Sequence, residues 1–337
     1  MITRVEIENW KAIRKVAIDL GPMTVLVGPN DAGKSTILQA LEFLGQTARH
    51  PSAGIRRWFD DPQKIVRDGD RGATLRIAAE GSTAEGPYRY ETRWEFAGGL
   101  LQRLPFTQHA SQSVADDLAS FSVRFDPHNL IIPAAADDAF QSDGFGLASV
   151  IDALLTDIDR TGRDAFEATL RTFSKHVTAI GTRPAAAEPQ VLGVSLPSKS
   201  RKEITFGMPG NRVVPASHAS SGLLLAAAYI ALRHTGYRRF LIDEPENGVH
   251  PRALLQIIDV LRELAKDGRQ VVMTTHSPVL LSYIDPADIR VVTRDATSGV
   301  KVTPALESAA FKDRTQTLDA GELWYALGDE ELAASAP

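Results

Sequence analysis

Apolar and polar positions alternate with a period of two over residues 2–9 (ITRVEIEN) and 15–20 (KVAIDL), which predicts two half-buried antiparallel strands. The pattern then changes. Residues 23–28 (MTVLVG) form an almost unbroken apolar run, the mark of a strand covered on both faces, and 34–48 (KSTILQALEFLGQTA) follow with the spacing of a helix. Between residues 65 and 125 the segments ATLRIAAE, YRYETRWEFAG and SVRF are strand-like and separated by Gly, Pro and Asp turns, which predicts an antiparallel lobe. Residues 145–177 read as two helices broken at Thr161 and Gly162, and 191–218 as strand with turns. The last third alternates: helix 221–234, strand 238–243, helix 251–266, strand 269–276, a helix near 278–284 and strand 288–295. Alternation of this kind predicts a mostly parallel sheet covered by helices. Within it, Leu223 to Leu232 carry no polar side chain except the Tyr229 hydroxyl, so that helix is apolar all round and buried, with Ser220, Ser221 and Gly222 well suited to start it.

Composition narrows the class. The chain has 337 residues, 43% hydrophobic and 23% charged, with a formal net charge of −5, which describes an ordinary globular protein of one large or two moderate domains. A mildly acidic balance argues against indiscriminate DNA binding by net charge and leaves room for a local basic patch. Cysteine is absent, which removes disulfides, thiolate zinc sites and cysteine nucleophiles and fits a reducing cytoplasm. The first 20 residues mix charges into every apolar run, unlike a signal peptide, and no window approaches the roughly 20 apolar residues of a membrane span. A cytoplasmic protein with no membrane partner is expected.

The chemistry concentrates in three places. Gly28-x-x-x-x-Gly33-Lys34-Ser35 matches the P-loop pattern and stands after an apolar strand and before a helix, where phosphate binding requires it. Gly28 and Gly33 permit backbone angles that let the amides around Asn30, Asp31 and Ala32 close on phosphate oxygens. Lys34 would reach the β and γ phosphates, the Ser35 hydroxyl would ligate Mg²⁺, and Thr36 would contact the α phosphate beside the positive end of the helix dipole. Asp243 emerges at the carboxyl end of the apolar strand Phe240-Leu241-Ile242 and is the second expected Mg²⁺ ligand. Its neighbour Glu244 is the candidate general base for the attacking water. One strand later the run QVVMTTH ends in two hydroxyls and His276, which could donate to the γ phosphate or the attacking water.

The segments GPNDAGKST, ASSGL, FLIDEPENGVHP and TTHSP, in that order, resemble the Walker A, signature, Walker B with D-loop, and switch-histidine motifs of the ABC ATPase superfamily. EPENGVHPRAL followed by TTHSPVLL is similar to the ATPases of the RecF, SMC and OLD type, grouped with the AAA-family ATPases. VEIENWKAIRKVAIDL resembles their N-terminal strand pair and GELWYALGDEEL an ending of smaller members, so the resemblance spans nearly the whole chain.

The resemblance implies an α/β P-loop NTPase of the ABC ATPase head type, with a mixed or mostly parallel central sheet, an antiparallel β lobe and a small helical subdomain. It implies one head: an N-terminal lobe with the P-loop over about 1–130, an inserted helical and β subdomain over about 131–214, and a C-terminal lobe over about 215–337. Ser220 and Gly222 become signature residues reaching the γ phosphate held by a second subunit, although Ala219, Ser221 and Leu223 depart from the usual signature. Asn247 is the D-loop candidate at the dimer interface; His250 is either a second interface residue or a helix-start residue before Pro251. Lys11 and Arg14 fall where the family contacts base or ribose, which exposed basic residues can occupy without function, and Gln141 is a guess for the nucleotide-coupling glutamine. Roughly 60 residues follow His276, too few for the Toprim nuclease of OLD proteins, and no heptads suggest the coiled-coil arms of SMC proteins. The expected activity is thus Mg²⁺-dependent ATP hydrolysis in a homodimer that sandwiches ATP and controls a separate effector protein such as a nuclease, as in a bacterial anti-phage module. A DNA-binding repair ATPase of the RecF or SMC kind is the alternative, which keeps nucleic acid open as a partner, and a transporter's nucleotide-binding subunit is a third reading.

Overall fold

The computed structural model describes residues 1–49, 65, 72–97, 100–104, 110–185, 200–295, 299–307 and 319–325. Strands β1 (Ile2–Trp10), β2 (Ile13–Asp19) and β3 (Met23–Val27) lead into helix α1 (Lys34–Arg49), and β4 (Leu75–Thr83), β5 (Gly86–Ala97), β6 (Leu100–Arg103), α2 (Gln112–Leu118) and β7 (Ser120–Val123) follow. Next come α3 (Pro127–Leu130), β8 (Ala134–Ala135), α4 (Leu147–Thr156), α5 (Thr161–Phe173), β9 (Ala179–Pro184), β10 (Arg201–Met208), β11 (Arg212–Pro215) and α6 (Ser221–Ala231). The last third holds β12 (Arg239–Asp243), α7 (Pro251–Lys266), β13 (Gln270–Thr275), α8 (Pro278–Leu281), β14 (Ile289–Asp295) and β15 (Gly299–Pro304). Among the described residues no helix is long and apolar enough to cross a membrane.

The chain forms two compact units: Met1–Ser122 with Tyr237–Pro245 and Arg262–Pro337, and Val123–Gly236 with Glu246–Leu261. The helix that starts after Ser220 thus belongs to the second unit, together with the segment between residues 123 and 215.

The first unit holds two sheets. The antiparallel sheet runs β2-β1-β4-β5-β6, and β1 shows why: Val5 and Ile7 are buried while Glu6 and Glu8, alternating with them, face outward. The second sheet runs β15-β14-β3-β13-β12-β7. In it β14, β3, β13 and β12 are mutually parallel and β15 returns antiparallel to β14. Every residue of β3 and β13 is buried, as expected of strands covered on both faces. Helix α1 packs into the core between the sheets, where Phe43 meets Trp10 and Trp94 at ring separations of 5.0 and 5.5 Å.

In the second unit β10 pairs with β8, β9 and β11, and α6 is buried along its whole length from Leu223 to Ala231. Burial pushes the Tyr229 hydroxyl pKa well above its usual value, helped by the charge of Glu246.

Four local readings differ from expectation. The lobe between 65 and 125 includes a helix, α2, whose start is capped by the Ser111 hydroxyl accepting from Val114 N. The strand expected at 122–125 lies at Ser120–Val123, because Asp126 caps α3 with Pro127 in its first turn. The break between α4 and α5 falls at residues 157–160 and not at Thr161 and Gly162. The Asp157 and Asp159 carboxylates accept from the amides of Asp159 and Thr161 at 3.1 and 3.0 Å and set the new helix start there. Gly162 then serves close packing, since a Cβ would press on Leu154 at 3.3 Å. Finally, the helix near 278–284 is a short one, Pro278–Leu281.

Candidate nucleotide site

The turn from β3 to α1 has its shape set by neighbours. A Cβ on Gly28 would run into the Val292 carbonyl of β14, and one on Gly33, whose φ is +104°, would sit 2.8 Å from a Val300 methyl of β15. Asp31 takes the left-handed region at φ 62° and, with Asn30, faces solvent, while Ala32 is buried beneath them. The amide of Ile37 bonds to Gly33 O at 3.1 Å, so the helix ladder starts at that glycine. Lys34 is only 5% exposed and folds back, its ammonium donating to Gly28 O at 2.8 Å and Pro29 O at 2.9 Å. Trp10 braces the first turn from β1 by donating its indole N–H to Thr36 O at 3.0 Å.

At the carboxyl end of β12, Asp243 Oδ1 accepts from Ser35 Oγ at 2.9 Å and from Thr274 Oγ1 at 2.7 Å. The parallel ladder makes this possible, because Asp243 is the Cα partner of Thr274 and Thr274 that of Leu26, one residue before the end of β3. The next residue, Glu244, takes φ 52°, donates its amide to Thr274 Oγ1 at 3.1 Å and brings its carboxylate to 3.4 Å from His276 Nε2. Thr274 is the member that sequence reasoning missed; the hydroxyl pair before His276 was its only signal, and strand register gives it meaning. Two hard oxygen groups, the Ser35 hydroxyl and the Asp243 carboxylate, suit Mg²⁺, which takes one or two protein oxygens and fills its octahedron with water and phosphate. Among the described residues no cluster of three or more His, Cys, Asp or Glu could hold a metal ion.

The other candidates lie in the second unit or beside the loop. Ser220 caps α6, its hydroxyl accepting from Leu223 N at 3.3 Å. Among the described residues a Cβ on Gly222 would meet nothing within 4 Å. Asn247 is exposed in a turn closed by Val249 N on Glu246 O, with Gly248 at φ 73°. His250 acts at the start of α7, its Nδ1 accepting from Arg252 N at 3.2 Å before Pro251. Lys11, at φ 48°, donates to Gln39 Oε1 of α1 at 2.6 Å, and Arg14 packs beside Gly299. Gln141 is an exposed loop residue whose amide bonds to Phe145 O.

A P-loop facing an aspartate and a glutamate across a parallel ladder, with an antiparallel lobe behind, defines an ABC-type ATPase head of the RecF, SMC and OLD type. Residues 23–282 match the family model described as an AAA domain, putative AbiEii toxin, type IV TA system, and the chain belongs to that family. It is 25% identical to an OLD nuclease of Thermus scotoductus over 90% of this chain and 64% of that protein, so it spans just under two thirds of that relative's length. It is 36% identical to a DNA double-strand break repair Rad50 ATPase of Methanopyrus kandleri, over 31% of this chain and 11% of that protein. With a DNA replication and repair protein RecF of Roseiflexus castenholzii it shares 32% identity over 27% of this chain and 23% of the relative. Among solved structures, an SMC head bound to the C-winged helix domain of ScpA superposes with a TM-score of 0.59 at 16% identity, covering 90% of this chain and 97% of that one. The SMC head domain from Thermotoga maritima gives 0.52 at 15%, covering 90% and 98%.

Proposed function

We propose that this protein is an ATP-binding and ATP-hydrolysing dimeric switch. The observation that carries the reading is the Ser35–Asp243–Thr274 cluster with Glu244 and His276 beside it, where the first turn of α1 meets the carboxyl ends of β12 and β13. Backbone amides of residues 28–33 and the Lys34 ammonium cradle the β and γ phosphates; on binding, the ammonium exchanges the Gly28 and Pro29 carbonyls for phosphate oxygens. Ser35 and Asp243 would hold Mg²⁺, which would supply neutralisation of charge on the phosphates. Glu244 accepts the proton of the attacking water, and His276, whose Nε2 lies 3.4 Å from that carboxylate, would donate its N–H toward the γ phosphate or the attacking water. Ser220 and Gly222 of one subunit close over the γ phosphate of the other, and Asn247 lies along the same interface. The open space above Gly222 supports this part of the reading. Hydrolysis opens the dimer and so controls a separate effector, a nuclease being the first choice given the OLD nuclease relative, in a cytoplasmic defence module.

The decisive experiment is ATP binding by the full chain and its Lys34→Ala variant, read by calorimetry, with turnover measured in the presence of Mg²⁺. Binding that vanishes in the variant supports the reading; unchanged affinity sinks it. A second reading, favoured by the relatives named for DNA repair, is an ATP dimer that clamps duplex DNA. DNA binding that needs ATP and weakens steeply with salt would select it.

A further inference from the structure

Strands β12 and β13 present Asp243, Glu244, Thr274 and His276, yet their middles carry no register information. Phe240, Leu241 and Ile242 face Val271, Val272 and Met273, and all six are buried. An apolar run covered on both faces has no polar side to expose, so a slip costs it little of the penalty that pins a half-buried strand. The opposite ends of these strands are built differently. Arg239, the first residue of β12, is 2% exposed, and Gln270, the first of β13, is 1% exposed. They are Cα partners in the ladder, and Arg239 Nε donates to Gln270 Oε1 at 2.8 Å. Four residues further along the same ladder, Asp243 partners Thr274.

Each member of the pair is fixed in turn. Arg239 donates through Nη1 to Leu118 O at 3.0 Å, and its Nη2 lies 3.9 Å from Asp117 Oδ2, which also accepts from Tyr88 Oη at 2.5 Å. The Met1 ammonium meets the other Asp117 oxygen at 2.7 Å. The amide of Gln270 donates to Ile2 O at 2.7 Å and to Gly21 O at 2.9 Å, just ahead of β3 and the P-loop that follows it. Burial lowers the Arg239 pKa while Asp117 and Tyr88 act to restore it, so the guanidinium is held by partners and not by water. A buried ionic group of this kind contributes little net stability, and its best-attested use is to specify register.

We infer that Arg239 and Gln270 are positioning residues that lock β12 on β13 and β13 beside β3, and thereby align Asp243 and Thr274 with the Ser35 hydroxyl. A one-residue slip would break the Arg239–Gln270 pair and turn Asp243 to the opposite face of the sheet. This rests on the ATPase reading for its kinetic consequence, while the register itself is measurable without ATP.

The test uses the full chain carrying Arg239→Met with Gln270→Leu, which replaces the pair by apolar groups of similar size and leaves neither of the two facing the other unpaired, while Asp117 keeps the Tyr88 hydroxyl and the Met1 ammonium. Turnover is expected to fall about tenfold or more with KM for ATP within about threefold, since the P-loop still binds while the metal ligands lose alignment. Register is read separately by adding Leu241→Cys and Val272→Cys, which are Cα partners in a chain that has no cysteine of its own. Disulfide yield on oxidation is expected to fall at least about twofold in the apolar background, because the bond tolerates little change in Cα separation. Parental kcat together with parental cross-linking overturns the inference. A parent that hydrolyses no ATP refutes the functional reading, and the cross-link then decides register alone. Should the apolar pair fail to fold, Arg239→Lys keeps the charge but loses the planar fork; parental kcat in that variant overturns the inference equally.

Discussion

Ser35 Oγ donates to Asp243 Oδ1 at 2.9 Å across 208 residues of sequence. The bond joins the first turn of α1 to the end of β12 and leaves a hydroxyl and a carboxylate side by side where a phosphate-borne cation would bridge them. Asp243→Asn keeps the shape and one acceptor but removes the charge. Turnover should fall by about two orders of magnitude, with metal-free ATP binding retained. Turnover measured across a Mg²⁺ titration checks this; an unchanged Mg²⁺ dependence would remove Asp243 from the metal site.

Glu244 stands at φ 52° with its carboxylate on His276, a backbone conformation that a glutamate adopts only when its surroundings hold it there. Glu244→Gln preserves size and most hydrogen bonding and removes the proton acceptor. Hydrolysis should slow by roughly 10²- to 10⁴-fold, and an ATP-bound dimer should accumulate in size-exclusion chromatography with ATP. Normal turnover would transfer the base role elsewhere.

Much of this site was legible because its parts are local. Gly28 to Thr36 announce a strand-to-helix turn, and Asp243 and Glu244 follow an apolar strand, so residue type and spacing placed them at the ends of β3 and β12. The alternating strands β1 and β2 and the all-apolar α6 followed from periodicity in the same way. What stayed hidden depends on register or competing caps. Thr274 and the Arg239–Gln270 pair acquire roles only when β12 is laid on β13, and nothing in either segment alone sets that pairing. Gly162 reads as a breaker in the sequence, whereas the Asp157 and Asp159 carboxylates define the turn before α5 and the glycine fits against Leu154.

Gly222 follows the first residue of α6. Its missing Cβ would meet nothing within 4 Å among the described residues, and glycine within a helix is about 0.5–1 kcal/mol less favourable than alanine. Gly222→Ala should therefore leave Tm unchanged or slightly raised. If the turn after Ser220 faces a second subunit, the same variant, and more strongly Ser220→Arg, should reduce ATP-dependent dimerisation in light scattering. Dimers that form normally in both variants would leave the turn as a helix cap and nothing more.

Arg76 on β4 ties three carboxylates of the antiparallel sheet: Glu6 at 2.9 Å, Glu8 at 3.1 Å and Glu91 at 2.8 Å, with its own side chain 16% exposed. The hydrogen bond from Arg76 holds the Glu6 carboxyl below its usual pKa; at Glu91 burial works upward, yet Arg76 and Arg93 outweigh it and the net shift is again downward. A carboxylate with a depressed folded pKa contributes stability that is present above its unfolded value, near 4.5, and is lost as pH falls through the folded value. Tm should accordingly be flat above about pH 5 and decline below about 4.5 as these groups protonate. Arg76→Met removes the partner that both share. It should lower Tm by a few degrees near neutral pH, corresponding to about 1–2 kcal/mol for partly exposed pairs, and make the decline below pH 4.5 shallower, because the carboxyl groups then differ less between folded and unfolded chains, with only Arg89 and Arg93 left to lower them. Thermal melts of both proteins from pH 3 to 8 decide it: parallel acid profiles would show that these ion pairs contribute nothing to the stability of the lobe.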